Sequence, residues 1–497
     1  MTSEPVLTAK EAKAWDEYSI SQAGVDSRLL MGWAAQSVAR AMQDLQLLGP
    51  RKRILVLTGS GNNGGDGLAL AWLLFTEYNQ SVDVCCVQKP KTPDALYFFE
   101  LVQKVSKKKS SKIQFIRAPL MTESTADVIV DAMLGIGFHG KLKPVLQKAI
   151  NFSNNSGSVR VAIDVASGVY ANGDDFEHEA FKAHYTLAIG SHKVGSLTEP
   201  GCFFSGKNQV VPIGFAPYDL PDRRTAKKQK LPSLRKPHGH KYTSGSVVFY
   251  GGSRGMEGAM ILSVRAFLQL GGGMAKLCSD SRDFKKQILE ILPESQVFEE
   301  EDAAASFVKV FCDSKTQLGV LGMGLDHDPG PAFWKKVLAA KGKVLIVDGG
   351  GLRFLSKYPE LVRQHKLKAL VLTPHKGEWQ DLLKKESNNV FEDFSIFAKQ
   401  NDCFMIAKGY GLFILSRHNA ARFFLQQEFS LATAGTGDIL NGVLANYLLR
   451  EADTLAALEQ ACLAYLQAAK AARGTDMETL VPSDLIQKLK DNHNAIL

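Results

Sequence analysis

Short apolar runs alternate along this chain with longer stretches in which apolar residues recur at helical spacing. In the first half the runs fall at Arg53–Thr58, Val82–Val87, Ile113–Arg117, Val128–Ala132, Val159–Asp164 and Tyr185–Ile189. Each has the length and unbroken hydrophobicity of a buried parallel strand. Leu68–Tyr78 carries a helical pattern between the first two. In the second half the strands run out into "VVFYGGSRGMEGA", "LGVLGMGLDHD", "VLIVDGGGL", "ALVLTPHKGEW" and "CFMIAKGYG", and a strongly helical run follows in "LATAGTGDILNGVLANYLL". This alternation predicts α/β architecture in both halves, with helices on both faces of each sheet.

The regular pattern lapses between the halves. "DRRTAKKQKLPSLRKPHGHK" (Asp222–Lys241) is basic and proline-bearing, follows Pro217 and Pro221, and has no apolar period. It reads as a linker near residue 225. The 497 residues suit two or three domains, and 45% hydrophobic against 22% charged residues lets each bury a core.

In an open parallel sheet, ligands sit outside the carboxyl ends of the strands. The loops leaving those ends in the first half are "GNNGGDG", "DAMLGIGFHG", "DVASGVYANG" and "GSHKVG". Asp131 and Asp164 stand at strand ends, and with Asn63 and Asp66 they make one candidate site. Each could instead cap a helix. Gly59-Ser-Gly61-Asn-Asn-Gly64 also spells the glycine pattern of a dinucleotide loop, and Asp83 falls where a ribose-binding acid is expected. Asp66 argues against a plain dehydrogenase, because such a loop leaves its helix N-terminus bare for pyrophosphate. A carboxylate and two amides there favour hydroxyl, amide or cation ligands.

In the second half Gly435-Thr-Gly437-Asp438 precedes a helix. Glycines at a helix start expose N–H groups as an anion hole suited to a transferring phosphate. Asp438 at its edge could act as general base toward an attacking hydroxyl, or merely cap the helix. His375 in "LTPHKGEW" and Lys408 in "MIAKGYG" follow strands on the same edge, the lysine placed for a nucleotide phosphate or ribose.

The net charge of +8 is largely local, in "KVSKKKSSK" (Lys104–Lys112) and the linker. Neither run interleaves aromatics or sits in a nucleic-acid reading module, so solvated charge and mild attraction for an anionic nucleotide are expected rather than nucleic-acid binding. Seven cysteines make no spaced pair, which fits a reducing cytosol and no structural zinc. No segment approaches ~18 uninterrupted apolar residues and the N-terminus lacks a signal core, so a cytoplasmic protein without membrane contact is expected.

Two sets of motifs now coincide. "GSGNNGGDGL", "VDAMLGIGF", "AIDVASGV" and "YTLAIGSHKVG" resemble an NAD(P)HX epimerase domain. "TSGSVVFYGGS", "LGMGLD", "LTPHKGEW", "AKG" and "LATAGTGDILNG" resemble an ADP-dependent NAD(P)HX dehydratase domain of ribokinase-like fold. Their order is similar to that of the bacterial bifunctional NAD(P)H-hydrate repair enzymes. The resemblance implies a Rossmann-like epimerase domain over residues 1–220, a linker over 221–235 and a ribokinase-like dehydratase domain over 236–497. It implies that Asn62, Asn63, Gly64, Gly65 and Asp66 line the epimerase substrate site. Gly135, Ile136, Gly137, Phe138, His139, Gly140 and Lys141 would meet the substrate phosphates, and Asp164 the substrate near its reacting carbon. Asn63, Asp131 and Ser167 would bind K+, oxygen being the right donor for a hard cation. In the dehydratase half, Ala259, Gly324, His375 and Asp438 match substrate positions. Lys408, Gly409, Tyr410, Gly411, Leu412 and Gly437 match adenine-nucleotide positions. ADP as co-substrate, Mg2+ in the dehydratase half, NADHX and NADPHX as substrates and a homo-oligomer are implied with them.

Several positions depart from that pattern. "LLMGWAA" (Leu29–Ala35) replaces Leu-Met-Glu-Asn-Ala-Gly, Ala166 and Met323 replace prolines, and "VDGGGL" (Val347–Leu352) replaces Asp-Ala-Asp-Ala-Leu, losing an acidic side chain. GTGD alone would also permit a small-molecule kinase, such as one for a vitamin precursor, fused to a binding domain. A nucleotide-sensing protein without turnover is the alternative outside enzymes.

Overall fold

The computed structural model describes residues 3–494 except 108–111, 117–124, 230–244, 282–283, 285–287, 289, 299–301, 385, 410, 419 and 475–479. The chain forms two compact units. One is Glu4–Thr225 with Asn388–Phe391; the other is Ala226–Ser387 and Glu392–Leu497 with Met1–Ser3.

The first unit is built on strands β1 (Arg53–Thr58), β2 (Ser81–Cys86), β3 (Ile113–Phe115), β4 (Val128–Ala132), β5 (Val159–Ile163), β6 (Tyr185–Ile189) and β7 (Lys207–Val211). They lie in the order β3-β2-β1-β4-β5-β6-β7, every neighbour parallel. Apolar clusters fill both faces of this sheet. Leu55, Leu57 and Ile129 point into one, and Ile54, Val56 and Val130 into the other. That two-sided burial is why the strands read as unbroken apolar runs. Strand order reverses between β1 and β4, which marks the ligand crevice.

The "GNNGGDG" segment is helix rather than loop. Helix α1 (Asn62–Thr76) begins at Asn62 with Gly61 as its N-cap, so Asp66 sits in the second turn and caps nothing. Glycine is a poor helix former, but here it permits close approach. A Cβ on Gly59 would lie 1.7 Å from the Met133 carbonyl oxygen, and one on Gly64 would lie 2.2 Å from that of Gly59. Asp83 is no ribose ligand. Its buried carboxylate takes Arg53 Nε at 2.7 Å and Gln114 Nε2 at 2.8 Å, at the end of the sheet where β1 begins.

The second unit carries β8 (Ser246–Tyr250), β9 (Met274–Cys278), β10 (Gln296–Val297), β11 (Leu318–Leu321), β12 (Val344–Val347), β13 (Ala369–Leu372), β14 (Phe404–Ala407), β15 (Phe413–Leu415) and β16 (Ala421–Phe423). Their order is β16-β15-β14-β13-β12-β11-β8-β9-β10. All pairs are parallel except β14–β15 and β15–β16, an antiparallel extension at one edge. Helices α2 (Glu257–Gln269), α3 (Lys376–Leu383), α4 (Thr436–Leu448) and α5 (Thr454–Arg473) accompany the sheet. The order reverses between β8 and β11, where Gly252 donates to Met323 O (2.9 Å) and Ser253 to Gly324 O (2.7 Å).

Candidate active sites

In the first unit, a cavity of about 810 Å³ opens at the reversal between β1 and β4. Asn62, Asn63, Asp66, Lys141, Asp164 and the loop from Gly135 to His139 line it. Gly64 and Gly65 do not; both are buried behind the lining, Gly65 against Met31. Gly140 also lies off the lining, where its carbonyl accepts from Tyr170 Oη at 2.7 Å and steadies the loop.

Asn63, Asp131 and Ser167 meet around Leu134. Asn63 Nδ2 donates to Leu134 O at 2.7 Å, and Leu134 N donates to Ser167 Oγ at 2.9 Å. Asp131 accepts from Ser167 Oγ (2.6 Å), Ser167 N (2.7 Å) and Met133 N (3.1 Å). Burial pushes its carboxyl up to about 6 against the pull of these bonds. Asn63 Oδ1 is buried without a partner, a cost ordinarily avoided.

Asp164 follows β5 in the left-handed region at φ 67°. Its carboxylate accepts from Ile189 N (3.2 Å) and from the buried ammonium of Lys193, which also donates to Ile189 O (2.8 Å) and Ser191 O (3.0 Å). Burial, then Asp164 and Asp16, hold Asp66 well above the usual carboxylate range. Asp16 is itself raised by burial, then by Glu17 and Asp164. One cavity thus holds an acid favoured in its protonated form beside an ion-paired carboxylate, a division suited to proton transfer. Lys193 and Asp16 were missed from sequence. Lys193 lies inside "GSHKVG", at a strand end, and that position was its signal; Asp16, in a helix before the first strand, left none.

In the second unit, Gly324 stands at φ 61°, and a Cβ there would lie 3.3 Å from that of Ala259, so these two residues share one wall. Met323, in place of the family's proline, is buried in the core. His375 is the N-cap of α3: its Nδ1 accepts Gly377 N–H at 3.0 Å, and Glu378 accepts His375 N–H at 2.9 Å. Its ring stays exposed, and Lys408 N donates to the neighbouring Pro374 O at 3.0 Å, which sets His375 beside Lys408.

Lys408 Nζ pairs with Asp348 Oδ1 at 2.5 Å. The same ammonium lies 3.4 Å from where a Gly437 Cβ would sit, directly at the GTGD turn. Gly435 caps α4, so Gly437 and Asp438 are in its first turn. Burial, then the charge of Asp348, push the Asp438 carboxyl up to about 7 although Lys408 pulls it down. Gly409 is exposed, whereas Leu412 is buried in the core and can offer a ligand only its backbone. Tyr410 lies outside the described residues. Asp348 was missed as a site residue because its segment was read for the acid it lacks rather than the one it keeps.

A family model described as YjeF-related protein N-terminus matches residues 27–195, and one described as NAD(P)H-hydrate dehydratase matches residues 247–492. The bifunctional NAD(P)H-hydrate repair enzyme Nnr of Thermofilum pendens is 30% identical over 466 residues, covering 88% of this chain and 86% of its own. That of Salinibacter ruber is 26% identical over 520 residues, covering 98% and 95%. Among solved structures, an ADP/ATP-dependent NAD(P)H-hydrate dehydratase from Bacillus subtilis, co-crystallised with ATP/Mg2+, is 21% identical with a TM-score of 0.46, covering 54% of this chain and 95% of its own.

The chain belongs to the family of bifunctional NAD(P)H-hydrate repair enzymes. It acts on hydrated NADH and NADPH and combines an epimerase with a dehydratase. The dehydrogenase, vitamin-kinase and sensor readings give way to that membership. Among the described residues, no helix of this hydrate-repair enzyme is long and apolar enough to cross a membrane.

Proposed function

We propose that residues 1–220 interconvert the R and S hydrates and that residues 236–497, beyond a linker at 221–235, dehydrate the S form at the expense of ADP. The observation that carries the second assignment is Asp438, with a carboxyl near 7, at the lip of the GTGD turn beside the Lys408 ammonium. Asp438 takes the proton of the hydrate hydroxyl as that oxygen attacks the terminal phosphorus of ADP. The helix N-terminus and Lys408 stabilise charge on the moving phosphoryl group, and AMP leaves. The phosphate ester then eliminates inorganic phosphate with loss of a ring proton, which restores the nicotinamide double bond. Lys408, Gly409, Tyr410, Gly411, Leu412 and Gly437 are assigned to the adenine nucleotide, and Ala259, Gly324 and His375 to the hydrate.

Asp348 already accepts three hydrogen bonds, one of them from the Lys408 ammonium that pairs with its charge, which leaves it poorly placed to take Mg2+ as well. Mg2+ would therefore be held mainly by the phosphate oxygens of the nucleotide, whose charge it would screen. The decisive assay incubates enzyme, NADHX, ADP and Mg2+, following reduced-nicotinamide absorbance with AMP and phosphate. Recovery with equimolar AMP and phosphate supports dehydration. A stable phosphorylated product, or binding without turnover, removes the reading.

The acid limb follows from the sign of the Asp438 shift. A base must be ionised, so kcat/KM for dehydration should hold above pH ~7 and fall about tenfold per unit below it. A pH profile flat down to pH 5 would remove Asp438 as the base.

In the first unit, Asp66 and Asp164 with Lys193 are assigned to proton transfer at the hydrated ring, and the Gly135–Lys141 loop to the phosphates. Asn63 Oδ1 has no partner, Asn63 and Ser167 both hydrogen-bond Leu134, and Ser167 bonds Asp131, which gathers hard oxygens of the kind K+ would take. Held there, K+ would supply positive charge behind the substrate loop. Exchanging K+ for a bulky organic cation should slow epimerisation or loosen substrate; a rate and affinity indifferent to the exchange would discard the ion. Cytoplasmic residence is supported by the seven cysteines, none of which forms a disulfide among the described residues. A homo-oligomer is supported by the exposed Leu29, Trp33 and Tyr97.

A further inference from the structure

Asp348 is the first residue after β12, and its carboxylate is buried. Three donors converge on it from three other elements. Thr373 Oγ1 after β13 lies at 2.7 Å, Lys408 Nζ after β14 at 2.5 Å, and Asn441 Nδ2 of α4 at 2.6 Å. Asn441 is three residues beyond Asp438 on the same helix, so it shares the face that Asp438 presents. Burial alone would push the Asp348 carboxyl up, but Lys408 and the hydrogen bonds hold it below the usual range, so it is ionised.

Lys408 feels three carboxylates, Asp348, Glu378 and Asp438. Its hydrogen bond goes to Asp348. Asp348 and Lys408 from the strand ends and Glu378 from α3 act on Asp438, and Tyr465 of α5, whose hydroxyl donates to Thr436 O at 3.1 Å, feels its charge. Among these, Lys408 alone carries positive charge. Were it to turn from Asp348 to Asp438, the base would be neutralised.

We propose that Asp348 is a positioning residue for the dehydration step: it holds the Lys408 ammonium at the phosphate turn and off Asp438, and through Asn441 it fixes the first turns of α4 against the strand ends. This inference rests on the reading of Asp438 as the base. The Asp348 carboxylate is taken up by its three donors, so it acts through Lys408 and Asp438.

The test is the pH profile of dehydration in the full chain with NADHX, ADP and Mg2+. In Asp348→Asn, Lys408 is released toward Asp438, and the acid limb should move down by about one pH unit or more. The plateau rate should fall ~10–100-fold as the base weakens and loses its placement. Lys408→Gln reads the same field from the other side. With Asp348 unopposed, the limb should move to higher pH, which keeps the inference testable if Asp348→Asn does not fold. A merely structural role would lower the melting temperature and the active fraction without moving the limb. An unmoved limb in the folded variants overturns the proposal. Asp438→Asn, run alongside, separates the two failures: full activity there removes the base itself, whereas an inactive Asp438→Asn with an unmoved limb removes only the role of Asp348.

Discussion

Asp438→Asn should abolish ADP-dependent dehydration while leaving epimerisation and folding near normal. The substitution keeps the size of the side chain and removes only its capacity to take a proton, a loss of ~10²–10⁴-fold for a general base. The carboxyl is poised near neutrality because burial and the charge of Asp348 oppose its ionisation, so the asparagine relieves an unfavourable charge rather than creating one. A melting temperature equal to or above that of the parent is therefore expected with the activity loss. Near-normal recovery of NADH from the S hydrate would reduce Asp438 to a first-turn residue of α4.

Asp164→Asn should have a comparable effect on the other reaction. Asparagine tolerates the left-handed backbone at φ 67° better than most residues, so the fold of the loop should survive. What is lost is the negative partner of Lys193, and with it the proton-transfer pair of the cavity. Epimerisation should fall ~10²–10⁴-fold. Given a mixture of hydrates and ADP, the variant should clear the S form at the normal rate while the R form lags. Mixing it with an equal amount of Asp438→Asn should restore single-stage clearance, since each supplies the activity the other lacks. Simultaneous disappearance of both hydrates with Asp164→Asn alone would remove Asp164 from the epimerase site.

The strands were legible because a sheet covered on both faces leaves few polar positions inside a strand, and one that does occur, Asp83 in β2, is held by Arg53 and Gln114. Leu55, Val56 and Leu57 are all buried, and the run shows it. Asp131 and Asp164 were legible for the converse reason, since a carboxylate closing such a run lies at the ligand edge. The helix start at Asn62 was not, because glycine's weak helix propensity speaks only of local cost. The compensation, contact with Met133 and Gly59, comes from segments remote in sequence or lost to a turn. Partnerships were hidden in the same way. Nothing near Asp348 in sequence announces Lys408, 60 residues on, or ties Lys193 to Asp164. His375 was read as a ligand-edge residue and is also a helix cap. Leu412 falls inside a nucleotide motif, yet its side chain belongs to the core.

The close approach at Gly59 and Gly64 has a genetic consequence. Any missense change there drives a Cβ into a carbonyl oxygen at 1.7 or 2.2 Å, and no rotamer can relieve a clash that precedes χ1. Such alleles should be recessive losses of one activity, complemented in trans by alleles damaged at GTGD. Cells carrying them should accumulate one stereoisomer of the hydrate rather than both.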